Sequence, residues 1–365
     1  MFSNTFRAAA AAFVLGTAAL AAGSIALTVP AEAAARPAVG RALQEAIRDA
    51  GAGNYAGARA AVAQAEGISG LTPGDHAAID QVKQYIAQKS GSGGGGGCAG
   101  LYLKGDYRGV IALHASDAQC MTLTAQSYYV THDYVGCVHY IRNNFGGGAP
   151  ENMLVMLQRC AYENQDNEDQ RYALEQLVQR TNKAEYWSQL LDTAQGTKGI
   201  SDHGTLDIYR LKLLTGSLTK ADDYNLLAQL ALQLGFAAES ATVIQKATDA
   251  HIQLGPRTGA LLAMAKNQAA ANAGNVGKIT ATGNGDALVK LGEDAWGQGR
   301  AADALKLVQA GIQKGVTDKA NAQIRLGMAL LASGQKEQAA RAFAQVDDPR
   351  QKVVAHLWEI YARSH

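Results

Sequence analysis

The residues of this chain with chemical potential are four cysteines, eight histidines and scattered carboxylates, and their spacing decides what each can be. Cys98, Cys120, Cys137 and Cys160 form a C-x21-C-x16-C-x22-C run inside one 63-residue window, and no cysteine lies elsewhere. The run holds no C-x-x-C pair, the signature of a zinc site or a thioredoxin-like dithiol. An even, clustered count reads instead as two disulfides in an oxidising compartment, and four cysteines allow three pairings. The histidines contain no H-E-x-x-H. His132 and His139 would share a helical side only if one helix held both, and a turn predicted at His132 separates them. The serines lack the Gly-x-Ser-x-Gly elbow of a hydrolase. Glu168-Asp169 and Asp222-Asp223 fall near predicted turns, where helix-end charge explains them. The expectation is therefore no metal, no cofactor and no catalytic residue.

Composition narrows the partners. Lys plus Arg number 33 against 32 Asp plus Glu, for a net charge of +1, with 18% of residues charged. A dedicated nucleic-acid binder needs a basic footprint that this balance does not supply. The apolar content is mostly alanine and leucine, and six prolines serve the whole chain, so helix is favoured. Near the N-terminus, Arg7 precedes an apolar run from Ala8 to Val29, and Ala31-Glu32-Ala33 offers the small residues of a cleavage site. Residues 1–33 thus read as a secretory signal rather than an anchor. No other stretch is apolar enough to cross a membrane, so the mature chain is expected to be exported without stable membrane insertion.

The elements that position these residues announce themselves by repetition. Gly53-Asn54-Tyr55, Gly105-Asp106-Tyr107 and His132-Asp133-Tyr134 each join two helical stretches, and the punctuation returns at Gly235, Gly299 and Gly334. Gly292 and Gly327, Gly299 and Gly334, Ala304 and Ala339, and Val308 and Phe343 are all 35 residues apart. A period near 34 predicts helix-turn-helix repeats. In each unit a small residue of the first helix (Ala125, Ala161, Ala228, Gly292, Gly327) permits a close crossing by the second. Leu326-Gly327, Leu330, Gly334, Ala339 and Phe343, together with Leu291-Gly292, Gly299, Ala304 and Val308, resemble the tetratricopeptide repeat signature. The unit's terminal proline is missing, and Leu288 and Gln323 stand where that signature has tryptophan. The resemblance implies an all-α fold, an α-solenoid of stacked helix pairs. With its signal and its run Tyr224 to Gly235, the chain is similar to periplasmic repeat proteins of Gram-negative bacteria. The repeat register favours Cys98 with Cys120 and Cys137 with Cys160.

The predicted order is a helical module over 41–89 with one repeat unit and a helix from Pro73, a glycine-rich linker at 90–97, the solenoid at 98–347 and a capping helix at 350–363. Glycine, asparagine and threonine over 274–285 predict a loop or a worn repeat. Trp187, Trp296, Trp358 and Tyr128 sit in apolar helical contexts and are expected to pack in the core.

In the repeat family the inner face of the first helices forms a groove. Those positions here are Tyr102, Gln126, Tyr129, Gln158, Tyr162, Gln165, Asn225 and Gln229. Amide side chains can satisfy both N–H and C=O groups of an extended peptide, and tyrosine adds apolar area with a hydroxyl. Almost no lysine stands there to clamp a terminal carboxylate. The expected function is an exported scaffold or adaptor for protein or peptide partners in the cell envelope. The alternatives are an accessory subunit of outer-membrane transport or envelope assembly, or an enzyme whose residues come from irregular parts such as 142–150 or 272–285.

Overall fold

The computed structural model describes residues 36–92 and 97–364, and the described residues contain helices and no strands. The expected signal and residues 93–96 of the glycine linker lie outside them. The chain divides into two compact units, one ending at Asp133 and the other beginning at Tyr134, so the boundary falls inside the 98–347 segment.

The first unit holds α1 (Pro37–Gly51), α2 (Tyr55–Glu66), α3 (Pro73–Ser92), α4 (Cys98–Leu103), α5 (Tyr107–Ala112) and α6 (Ala118–Val130). Helices α1 to α3 share one core built on Val39, Leu43, Val62, Ile79 and Ile86, so the helix from Pro73 belongs to a three-helix module and runs to Ser92. Thr72 caps it: the hydroxyl accepts from Asp75 N at 3.2 Å and donates to Asp75 Oδ2 at 2.9 Å. Asp75 also accepts from Arg36 N and Nε at 2.9 and 2.7 Å, which pins the start of α1 to the start of α3.

The second unit runs α7 (Tyr134–Phe145), α8 (Glu151–Glu163), α9 (Asn167–Thr181), α10 (Ala184–Gln195), α11 (Asp202–Leu214), α12 (Ala221–Gln233), α13 (Ala237–Asp249), α14 (Thr258–Thr282), α15 (Gly285–Gly297), α16 (Ala301–Lys314), α17 (Lys319–Ala332), α18 (Lys336–Ala344) and α19 (Pro349–Ser364), with a 3-10 turn at Gly146–Gly148. Neighbours pack as antiparallel pairs, as a solenoid-like array requires. The junctions follow the residue types. Gly299 and Gly334 take φ of +75° and +77° after their first helices, where a side chain would be strained. The small residues act at the crossings: a Cβ on Gly292 would stand 2.6 Å from Val308 Cγ2, and one on Gly327 would enter the Phe343 ring. Gly285 and Gly311 serve the same α15–α16 contact at its other end.

Two features depart from expectation. Residues 274–282 are helix, the end of the 25-residue α14, rather than a loop. Gly274 and Gly277 have nothing within 4 Å, so they cost only their own propensity, about 1 kcal/mol each. The hydroxyls of Thr280 and Thr282 bond back to Val276 O and Lys278 O at 2.8 and 3.0 Å, keeping their polar groups inside the helix. The second departure concerns α19. It covers α18 but also packs on α9, α10, α11 and α17, so the last helix folds back onto the early helices of its unit. Trp358 is fully buried there, with Trp296 and Phe343 each at a ring distance of 5.9 Å and Tyr361 at 6.1 Å.

Both disulfides are present: Cys98–Cys120 in the first unit and Cys137–Cys160 in the second, with no free cysteine among the described residues. Such bonds belong to an oxidising compartment. No helix among the described residues is long and apolar enough to cross a membrane.

Candidate functional site

The fold-back of α19 leaves a cleft of about 1140 Å³ in the second unit, walled by α8, α9 and α10 on one side and by the end of α18 with α19 on the other. Its floor is apolar, from Leu190, Phe343, Val346 and Leu357; its walls are polar. The cleft exists because α8 to α10 turn their apolar stripes (Leu157, Leu174, Leu177, Leu190) inward and leave the next stripe to amides.

Four amide side chains enter this space: Gln158 from α8, Asn167 and Gln170 from α9, and Gln189 from α10. None of these amides is engaged in a side-chain hydrogen bond among the described residues. Each offers a donor and an acceptor. Tyr162 stands at the same wall with 63% of its surface exposed. Across the cleft, His356 Nε2 of α19 meets Glu175 Oε1 of α9 at 3.1 Å, and its Nδ1 lies 3.7 Å from Glu359. The hydrogen bond to Glu175 raises the His356 pKa above the ordinary histidine value against the pull of burial, helped by the charges of Glu175 and Glu359. Arg171 and Arg363 in turn flank Glu175 and Glu359 at 3.7 and 2.7 Å.

Of the eight groove positions expected from the repeat register, Gln158 and Tyr162 come together in this cleft. Gln165 occupies the α8–α9 turn with φ +57° and is exposed. Asn225 donates its amide to Leu254 O at 3.1 Å and so holds the segment after α13 in place, while Gln229 is exposed on α12 away from the cleft lining. Tyr102, Gln126 and Tyr129 belong to the first unit and are half-buried there, Tyr102 edge-on to Tyr107 at 5.2 Å. The cleft residues that the register did not supply, Asn167, Gln170 and Gln189, lie on second helices or irregularly spaced ones, so a pattern built on first helices passes over them.

A second constellation has no counterpart in the sequence reading. Asp207 and Arg210 of α11, Glu239 of α13, Glu293 of α15 and Arg325 of α17 are all buried and mutually paired. Arg210 reaches Asp207 at 2.8 Å, Glu293 at 2.6 Å and Glu239 at 2.5 Å; Arg325 reaches Asp207 at 2.5 Å and Glu293 at 3.0 Å. Burial alone would push the Glu293 carboxyl up, but the Arg325 and Arg210 guanidiniums overcome it and hold Glu293 far below the usual carboxylate range. Burial likewise opposes the Arg210 charge, and Glu239, Glu293 and Asp207 outweigh it. Three carboxylates against two guanidiniums leave one negative charge in excess, and His203 places Nε2 3.5 Å from Glu293. A pocket of about 90 Å³ beside His203 reaches Asp207 and Arg325, but Gln351 and Asp318 at its rim already pair at 3.1 Å. The network ties α11, α13, α15 and α17 to one another inside the unit. No protein-family model matches this chain, and no curated protein matches it.

Proposed function

We propose that this chain is an exported adaptor that binds an extended peptide segment of protein partners in the cell envelope, and that the cleft of the second unit is where the peptide lies. One observation carries the reading: four side-chain amides without internal partners line a single cleft next to a largely exposed tyrosine. An extended peptide presents alternating N–H and C=O groups that free amides can match, while Tyr162 supplies apolar area at small entropic cost. The volume of about 1140 Å³ accommodates several residues of chain. Export is supported by the leader-like residues 1–33 and by two disulfides. The Gram-negative periplasm is the compartment this implies. Binding rather than catalysis is the proposed activity.

The test is a peptide library displayed against the purified chain, with hits measured by calorimetry on wild type and on a Tyr162→Ala, Gln158→Ala, Gln170→Ala variant. The variant is expected to lose at least about tenfold in affinity while keeping its melting temperature, since all three side chains are at least partly exposed. Hits that bind both proteins equally would remove the cleft as the binding site.

A further inference from the structure

The two disulfides stand in different surroundings. Cys137 and Cys160 are fully buried, so no thiolate can approach them while α7 and α8 stay packed. Cys98 is 6% exposed and Cys120 is half-buried, and both line an open cavity of about 690 Å³ in the first unit. Its other walls include Arg59 and Val62 of α2 and Lys83 and Ile86 of α3. A cavity of this volume admits a cysteine-bearing loop; Arg59 and Lys83 line it together with Glu66 and Asp117, and Lys83 is paired to Glu66.

What the bond holds is as telling as its access. Helices α4 and α5 are six residues each, far below the length at which a helix stands without tertiary support. Cys98 is the one buried residue of α4, and Val110 the one of α5. The bond from Cys98 to Cys120 at the start of α6 is thus a main tether of this hairpin, and opening it would release residues 98–113 from α6.

We propose that Cys98–Cys120 is a thiol–disulfide exchange site, opened by a dithiol reductant of the Cys-x-x-Cys class while Cys137–Cys160 stays closed. The reductant's thiolate attacks Cys120 Sγ, on the more exposed of the two residues. The Cys98–Cys120 bond breaks, Cys98 leaves as a thiolate and takes up a proton, and a mixed disulfide joins Cys120 to the reductant. The reductant's second thiol then displaces Cys120. The net change is two electrons and two protons to the protein, with the reductant oxidised to its own disulfide. Asp117 biases the resting state. Its carboxylate lies within 4.8 Å of both sulfurs, so it disfavours the thiolates and keeps the site oxidised until a reductant arrives.

The experiment is graded reduction of the native full chain with dithiothreitol, acid quench, alkylation and peptide mass spectrometry. Cys98 and Cys120 are expected to become half-labelled at a dithiothreitol concentration at least about tenfold below that for Cys137 and Cys160. Helical circular dichroism should be retained, and faster amide exchange confined to 98–113. Asp117→Asn keeps a cap for α6, whose Cys120 N donates to Asp117 at 2.9 Å, and should lower the half-reduction concentration further, several-fold. A Cys-x-x-Cys oxidoreductase lacking its second cysteine should be trapped on Cys120. Simultaneous labelling of all four cysteines, labelling only after helicity is lost, or a trap on Cys98 would each overturn the assignment.

Discussion

Arg325 of α17 donates to Asp207 of α11 at 2.7 Å across 118 residues of sequence, inside a protein interior where neither side chain exceeds 2% exposure. A buried pair of this kind rarely adds net stability over a well-packed apolar pair, because desolvation consumes the attraction, but it is intolerant of losing one member. It also enforces geometry. Arg325 satisfies Asp207 and Glu293 together only if α11, α15 and α17 stand at one curvature. The pair therefore acts as a latch between α11 and α17.

Removing the latch on one side should cost far more than removing both sides. Arg325→Met is expected to destabilise by about 3–5 kcal/mol, because Asp207 and Glu293 then remain charged and buried without it. Arg325→Met with Asp207→Leu should recover a large part of that loss. Urea unfolding of wild type, Arg325→Met, Asp207→Leu and the double variant measures the difference; a double variant as unstable as the sum of its singles would show that the partners do not act on each other.

The glycines of the array divide into two groups with opposite responses. Gly327→Leu should destabilise by about 1–3 kcal/mol, since the added atoms meet the Phe343 ring at the α17–α18 crossing. Gly274→Ala in α14 should stabilise by about 0.5–1 kcal/mol, because the site is helical and has nothing within 4 Å. Thermal melts read both, and a stabilising Gly327→Leu would mean that the crossing is looser than its contacts indicate.

The contrast explains what was legible in the chain. Gly292 and Gly327 carry the period because close crossing admits nothing larger, so packing writes itself into residue type every 35 positions. Gly274 and Gly277 carry no such message: the same residue type there reflects an unobstructed helix, and composition alone predicts a break. The Asp207–Arg210–Glu293–Arg325 network is invisible for a different reason. Charged residues three apart on one helix look like a solvated face, and only the return of the array toward α11 buries them. A trace existed, since residues 206–212 are buried without interruption on a helix that should show one wet face. In the cleft, Gln158 and Tyr162 followed from the register, whereas Gln170 and Gln189 came into view only with the placement of α19.

Trp358 separates ring volume from polarity. Its Nε1 is buried and has no hydrogen-bond partner among the described residues, so replacement by phenylalanine forfeits no bond. Trp358→Phe is expected to cost less than about 2 kcal/mol, and Trp358→Ala about 3–5 kcal/mol with loss of the α19 wall of the cleft. Chemical denaturation with amide exchange over 349–364 checks both, and near-equal costs would point to an unseen polar contact of the indole.

His356 makes the α9–α19 closure sensitive to pH. Its folded-state pKa is raised, first by the hydrogen bond to Glu175 and then by the charges of Glu175 and Glu359. A histidine raised in the folded state binds its proton more tightly there than when unfolded. Its stabilisation is therefore complete below the ordinary value of about 6.5 and is lost as pH rises through the raised value. The charged groups that face the ring are Glu175 and Glu359, with Arg171 and Arg363 paired to them. With the ring about half exposed, screening keeps the effect small, so it is best read as a difference between proteins. Between pH 6 and pH 8 the urea midpoint of wild type should fall more than that of His356→Gln, and an NMR titration should place the imidazole above its free value. Parallel midpoint curves would show that this pair does not hold α19 to α9.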